Sequence, residues 1–163
     1  MMEPSRFVVM GVSGCGKSSI GAGFASARGL RFGDGDHLHP AANIAKMSRG
    51  EALNDDDRTP WLDLVGSALV GGDQVIACSA LKRKYRDQIR RRAGAPVMFL
   101  FLQGDRDILL TRMVARPGHF MPTSLLDSQL ATLEPPMPDE LHLTQDIDQT
   151  PAQIIAAFQR SLP

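Results

Sequence analysis

Residues 11–18 read Gly-Val-Ser-Gly-Cys-Gly-Lys-Ser, directly after the apolar run Phe7-Val-Val-Met10 and directly before a stretch of helical period. This order leaves few options for the fold. A strand must end at a glycine-rich turn whose backbone N–H groups converge on one point, and a helix must start there and lend that point its partial positive charge. Such a turn holds a polyphosphate largely through main chain, with Lys17 reaching the β- and γ-phosphates and the Ser18 hydroxyl placed to ligate Mg²⁺. Gly11, Ser13, Gly14, Cys15, Gly16, Lys17, Ser18 and Ser19 are the expected contacts of a nucleoside triphosphate. Cys15 reads either as a reactive thiol at a helix N-terminus or as a small inert filler of the loop.

Further short apolar runs follow at Gln74–Cys78 and Val97–Leu102, with a weaker one around Leu143–Ile147 and a very short one at Leu30–Phe32. Helical periods lie between them, the pattern of an α/β domain with a mostly parallel sheet. Ile20, Phe24 and Ala27 share one helical face that stops near Gly29. Thr59-Pro60 looks like an N-cap and first helical position ahead of a buried stripe of Trp61, Val65, Ala68 and Leu69. Leu81, Tyr85 and Ile89 form another stripe, and Ile154 and Phe158 a third after Thr150-Pro151. Residues 112–122 fit neither period and read as a mobile excursion.

At 163 residues the chain has room for one compact domain, residues 1–163, and too little for two ordinary ones. Its 18 basic and 18 acidic residues cancel, which argues against a nucleic-acid or membrane-surface binder. The run at 7–10 is too short for a signal core or a membrane span, and two cysteines 63 residues apart do not suggest a disulfide framework, so a cytoplasmic setting is expected. The four histidines show no metal-ligand spacing.

Beyond the phosphate loop, Asp34-Gly-Asp36 follows the short second strand, where ligands of open α/β sheets bind. Two readings fit the pair. It is a turn built from Asp beside Gly, or two carboxylates that an extended backbone points to one side, one near the metal's water shell and one accepting a proton from an acceptor hydroxyl. Asn54-Asp-Asp-Asp-Arg58 likewise reads as an acidic helix start or as the frame of an arginine that holds a carboxylate-bearing substrate. Ser79 is an N-cap or a substrate ligand at the end of the third strand.

Taken together and in this order, the loop, Asp-Gly-Asp-His-Leu-His-Pro at 34–40, Leu-Asn-Asp-Asp-Asp-Arg-x-Pro-Trp at 53–61, Cys-Ser-Ala-Leu-Lys-x-x-Tyr-Arg-Asp at 78–87 and Ala-Arg-Pro-Gly-His-Phe at 115–120 resemble the gluconokinase family of small P-loop kinases related to shikimate kinase. The resemblance spans residues 7 to about 150. It implies ATP-dependent phosphorylation of D-gluconate on a three-layer P-loop kinase fold, a five-stranded parallel sheet flanked by helices with a short lid at about 112–125. It also implies roles. Asp36 would face the acceptor as base and Asp34 would hold Mg²⁺ through water, while Lys17 and Arg116 join Asp36 as the catalytic set. Asp36, His39, Arg58, Ser79, Lys82, Arg86 and His119 would contact gluconate; Arg112 and Arg116 the ATP phosphates; Asp148 and Pro151 the adenine. A serine often stands where this chain has Cys15, a change that leaves the backbone cradle intact. Family members are commonly dimers, so a homodimer is an option, although no segment identifies an interface.

Overall fold

The computed structural model describes residues 4–115 and 123–163. Its centre is one parallel sheet of β1 (Arg6–Met10), β2 (Arg31–Asp34), β3 (Gln74–Ala77), β4 (Met98–Gln103) and β5 (His142–Asp146), in the order β2-β3-β1-β4-β5. The register sets Val9 beside Ala77 on one side and Leu100 on the other. The central strands are apolar at nearly every position because both faces are covered. Phe7, Val9, Leu100 and Leu102 pack with α1 (Lys17–Arg28) and α7 (Pro151–Ser161); Val8, Met10, Ile76, Phe99 and Phe101 pack with α3 (Asp55–Ala68) and α4 (Arg83–Ala93). Every one of these strand residues is buried. The remaining helices are α2 (Ala41–Ser48), α5 (Arg106–Ala115) and α6 (Thr123–Thr132), with a 3-10 turn at Gly35–Leu38. Among the described residues no helix is long and apolar enough to cross a membrane.

Consecutive strands β1 and β2 are not neighbours; β3 lies between them. The chain therefore leaves β1 and β3 in opposite directions, and the crevice between their C-terminal ends is where such sheets bind ligands. The turn after β1 and the turn after β3 meet there, with the Gly11 N–H donating to the Ser79 carbonyl at 3.3 Å.

Several local expectations are corrected. Helix α3 starts four residues before Thr59: Asn54 and Asp57 form a reciprocal capping box, Asn54 Oδ1 accepting from the Asp57 N–H at 2.8 Å and Asp57 Oδ2 from the Asn54 N–H at 2.9 Å. Two satisfied N–H groups outweigh the single hydrogen bond that Pro60 removes inside the helix. The shifted start also changes the buried stripe, which holds Trp61, Leu62, Val65, Gly66 and Leu69, while Ala68 is exposed. On α1 the buried face takes Gly21 and Ala25 rather than Ala27. Ser79 caps no helix: α4 begins at Arg83, whose N–H donates to Glu134 Oε1 at 3.0 Å. Of the expected lid, residues 112–115 belong to α5 and 123–125 to α6, whereas 116–122 lie outside the described residues.

Candidate active site

The phosphate loop is shaped by its glycines. Gly14 has φ +86°, and a Cβ there would sit 2.8 Å from the Leu109 carbonyl oxygen, so only glycine lets the loop pass α5 this closely. Gly16, at φ +91°, occupies the N-cap of α1 without a side-chain cap, leaving the first N–H groups of that helix for a ligand. Lys17 folds back on the loop, with Nζ donating to the Val12 carbonyl at 3.1 Å. Cys15 is buried beneath the loop, and burial pushes its thiol up against the opposing pull of Lys17. The filler reading of Cys15 therefore holds, since a protonated, enclosed thiol is a poor nucleophile.

The two acids are set apart by a turn, not by strand alternation. Strand β2 stops at Asp34, and Gly35 packs so tightly on β3 that a Cβ would lie 2.4 Å from the Ala77 carbonyl oxygen. Asp34 Oδ1 accepts the Asp36 N–H at 3.0 Å, and Oδ2 accepts the Ser18 hydroxyl at 2.8 Å. Asp36 is turned away from Ser18 onto the wall of the neighbouring cleft. The turn reading therefore holds for Asp34, and the expected extended backbone does not continue to Asp36, because a 3-10 turn begins at Gly35.

That cleft has a volume of about 280 Å³. Ser13 and Lys17 of the phosphate loop line it together with Asp36, His39, Arg58, Trp61 and Ser79. Arg58 is held by one nitrogen: Nη1 donates to the Leu53 carbonyl at 2.6 Å and to the Tyr85 hydroxyl at 3.0 Å, and the guanidinium lies 5.1 Å from the Tyr85 ring centroid. Its other donors make no hydrogen bond among the described residues, so a cationic edge remains available to the cleft. Tyr85 in turn donates to Asp55, which also pairs with Lys84. The hydrogen bonds from Lys84 and Tyr85 hold the Asp55 carboxyl down at about 2, while burial and then Asp55 push the Tyr85 phenol up to about 12.

Two expected substrate contacts do not reach the cleft. Lys82 Nζ lies 3.6 Å from Asp55 Oδ1 and 5.8 Å from the Tyr85 ring centroid, and it is not among the residues that line the cleft. Arg86 is fully buried, donating to Glu140 from Nε at 2.7 Å and Nη2 at 3.1 Å, and from Nη1 to the Ala80 carbonyl at 2.9 Å. All three nitrogens are engaged and the side chain has no exposed surface, so Arg86 is an anchor of the turn after β3 and faces no ligand in this structure. Ala80 has φ +44°, a strained conformation that this anchor helps to hold. Ser19 is exposed on α1, while Arg112, in the last turn of α5, donates from Nη2 to the Ile147 carbonyl at 2.6 Å. Asp148 and Pro151 are exposed just beyond, so Arg112 and the expected adenine segment come together. Arg116 and His119 lie outside the described residues.

The sequence reading missed Trp61, Asn43 and Gln129 as site residues. Trp61 was legible only as core; its indole Nε1 donates to the Gly35 carbonyl at 2.8 Å and its ring stacks on His39 with centroids 4.0 Å apart and planes 18° from parallel. Gln129 on α6 accepts the Ser13 N–H at 2.7 Å, a contact across 116 residues for which the sequence carries no signal.

The donor set suits Mg²⁺ shared with a nucleotide. Ser18 Oγ and Asp34 Oδ2 are hard oxygens side by side, and an ion that keeps most of its coordination for water and phosphate needs few protein ligands. No cluster of three or more His, Cys, Asp or Glu able to hold a metal occurs among the described residues.

Comparison with known proteins places this arrangement in context. The shikimate kinase family matches residues 13–160. A gluconokinase of Gluconobacter oxydans (strain 621H) is 48% identical over 144 residues, 85% of this chain and 80% of that protein. The thermosensitive gluconokinase of Escherichia coli (strain K12) is 46% identical over 160 residues, 94% of this chain and 84% of that one. The crystal structure of a gluconokinase from Sinorhizobium meliloti 1021 superposes with a TM-score of 0.88 at 48% identity, covering 96% of this chain and 90% of that chain.

Proposed function

This chain, which matches the shikimate kinase family over residues 13–160, belongs with the gluconokinases, and we propose that it transfers the γ-phosphoryl group of ATP to the 6-hydroxyl of D-gluconate. The observation that carries the reading is the cleft that phosphate-loop and acceptor-side residues share. Lys17, the Asp36 carboxylate and an Arg58 edge that makes no hydrogen bond among the described residues all line it. An acceptor that bears a carboxylate and a hydroxyl fits that lining. Arg58 holds the carboxylate, Asp36 accepts the proton of the attacking hydroxyl, and the bond between the γ-phosphorus and the bridging oxygen breaks to release ADP.

The loop amides and Lys17 stabilise the charge that builds on the transferred group, and the fixed geometry brings the two reactants into line. Ser18 and Asp34 are the residues that would hold Mg²⁺, which when bound neutralises phosphate charge. Arg112, with Arg116 from the segment after α5, would complete the phosphate contacts, and His119 would add to the acceptor side. Both cysteines are free and buried, which suits a reducing cytoplasm.

The test is ADP release with and without gluconate, followed by locating the phosphate on the product. Gluconate-dependent ADP release with phosphate on carbon 6 supports the reading. Turnover that is the same without gluconate, or that needs shikimate or a nucleotide instead, refutes it.

A further inference from the structure

Asn43 and His39 form a pair whose hydrogen positions are fixed by a third group. Asn43 is buried on α2, and its side-chain amide lies 2.9 Å from the backbone carbonyl of Asp57. A carbonyl oxygen only accepts, so the amide atom facing it is the NH₂ nitrogen. That same Nδ2 lies 3.2 Å from His39 Nδ1. Its second hydrogen points at the ring, and Nδ1 must therefore present a lone pair.

The imidazole consequently carries its proton on Nε2. Among the described residues every buried side-chain nitrogen and oxygen has a partner, whereas His39 Nε2 makes no hydrogen bond to them, so Nε2 is not sealed in the interior, and His39 is one of the residues that line the cleft. The stack on Trp61 fixes the ring plane, and the Trp61 bond to Gly35 ties that platform to the residue before Asp36. Burial also holds the His39 ring below its ordinary pKa, which keeps it neutral although Asp36 pulls the other way.

We propose that His39 is a specificity-determining residue that donates Nε2–H to a hydroxyl oxygen of the polyol acceptor, and that Asn43 is the positioning residue that fixes its tautomer. The acceptor's identity rests on the function proposed above; the tautomer does not. A neutral donor beside a carboxylate suits a chain of hydroxyls. It binds the oxygen without offering a second base to compete with Asp36 for the proton.

The experiment begins with the unmodified protein. Long-range ¹H–¹⁵N NMR at pH 7.5 is expected to show His39 as the neutral Nε2–H form. An Nδ1–H form or an imidazolium overturns the proposal whatever the substrate proves to be. Steady-state kinetics on His39→Phe, which keeps an aromatic ring on Trp61, should then show about a tenfold loss in kcat/KM for gluconate with ATP KM within about twofold. His39→Gln, which restores an N–H donor, should recover most of it. Asn43→Asp should convert the ring to the Nδ1–H form or the imidazolium by NMR, with the loss again in the acceptor's KM. Unchanged gluconate kinetics in folded His39→Phe overturns the contact, even if ADP release remains gluconate-dependent.

Discussion

Replacing Arg86 by methionine isolates the energetics of the anchor behind the cleft. Arg86 and Glu140 have no exposed side-chain surface, and Glu140 also accepts from Arg90 Nη2 at 2.7 Å and from the Met137 N–H at 2.7 Å. Methionine keeps most of the length and none of the charge, so the variant leaves a buried carboxylate with one cation in place of two. Breaking a buried pair from one side costs about 3–5 kcal/mol, and the retained Arg90 sets the expectation near the lower bound. The acid–base behaviour of Glu140 points the same way. Burial pushes its carboxyl up, but the hydrogen bonds from Arg86, Arg90 and the Met137 N–H outweigh burial and hold it at about 2, below its ordinary 4.5, and removing Arg86 takes away the largest of these three.

The sign follows from the depressed value. The stabilisation is fully present above about pH 4.5 and is lost as the pH falls towards 2. For a chain of 163 residues each kcal/mol moves Tm by about 2–4 °C, so at pH 7 the variant should melt roughly 6–12 °C below the parent. Scanning calorimetry on both proteins from pH 7 to pH 3 should show the gap closing as Glu140 protonates. Replacing Glu140 by leucine in the same chain removes the stranded charge and should restore part of the loss. A drop below about 2 °C, or one that stays constant between pH 7 and pH 3, would falsify the argument.

Four further outcomes follow from the site. Asp36→Asn should lower kcat by about 10²- to 10⁴-fold with ATP affinity little changed, and phosphorylation at the parent rate removes Asp36 as the base. Arg58→Met should raise gluconate KM by roughly 10- to 100-fold, the worth of a charge-assisted hydrogen bond; a change confined to ATP KM contradicts its place on the acceptor side. Gly14→Ala forces a Cβ to 2.8 Å from the Leu109 carbonyl oxygen at φ +86°, so ATP affinity by calorimetric titration and Tm should both fall, and an unaffected Kd would mean that the cradle tolerates the shift. Neither Cys15 nor Cys78 should react with a thiol reagent until the protein is unfolded in urea, because burial raises the first thiol and pushes the second up to about 12; rapid native labelling disproves the enclosure.

The phosphate loop, the five strands and the α/β class were legible because each rests on local chemistry. Glycines at a strand-to-helix turn and the apolar runs of β1, β3 and β4 declare themselves without their neighbours, whereas the mixed, half-exposed edge strands β2 and β5 gave only weak signals. Boundaries were less legible where two local signals competed. Thr59-Pro60 and the Asn54–Asp57 box both read as helix starts, and the box prevailed because it satisfies two N–H groups at once. Arg86 illustrates a different limit. Its motif suggests a ligand for an anion, and it does bind one, but the anion is Glu140, 54 residues further along the chain.

The sequence by itself determined that this chain makes a phosphate-binding turn between a strand and a helix. It also determined that the two acids after β2, Arg58 and the turn after β3 belong to one family pattern. Only the tertiary structure decided which of those side chains share the cleft. The order β2-β3-β1-β4-β5 brings the ends of β1 and β3 together, and the turn at Gly35 sends Asp34 to Ser18 and Asp36 to the cleft. It also decided the proton on His39, since that depends on which atom of Asn43 faces the Asp57 carbonyl. The physical reason is common to all three. Backbone turns and apolar periodicity act over a few residues, whereas the partner of a buried polar group is set by whatever the fold brings within 3 Å of it.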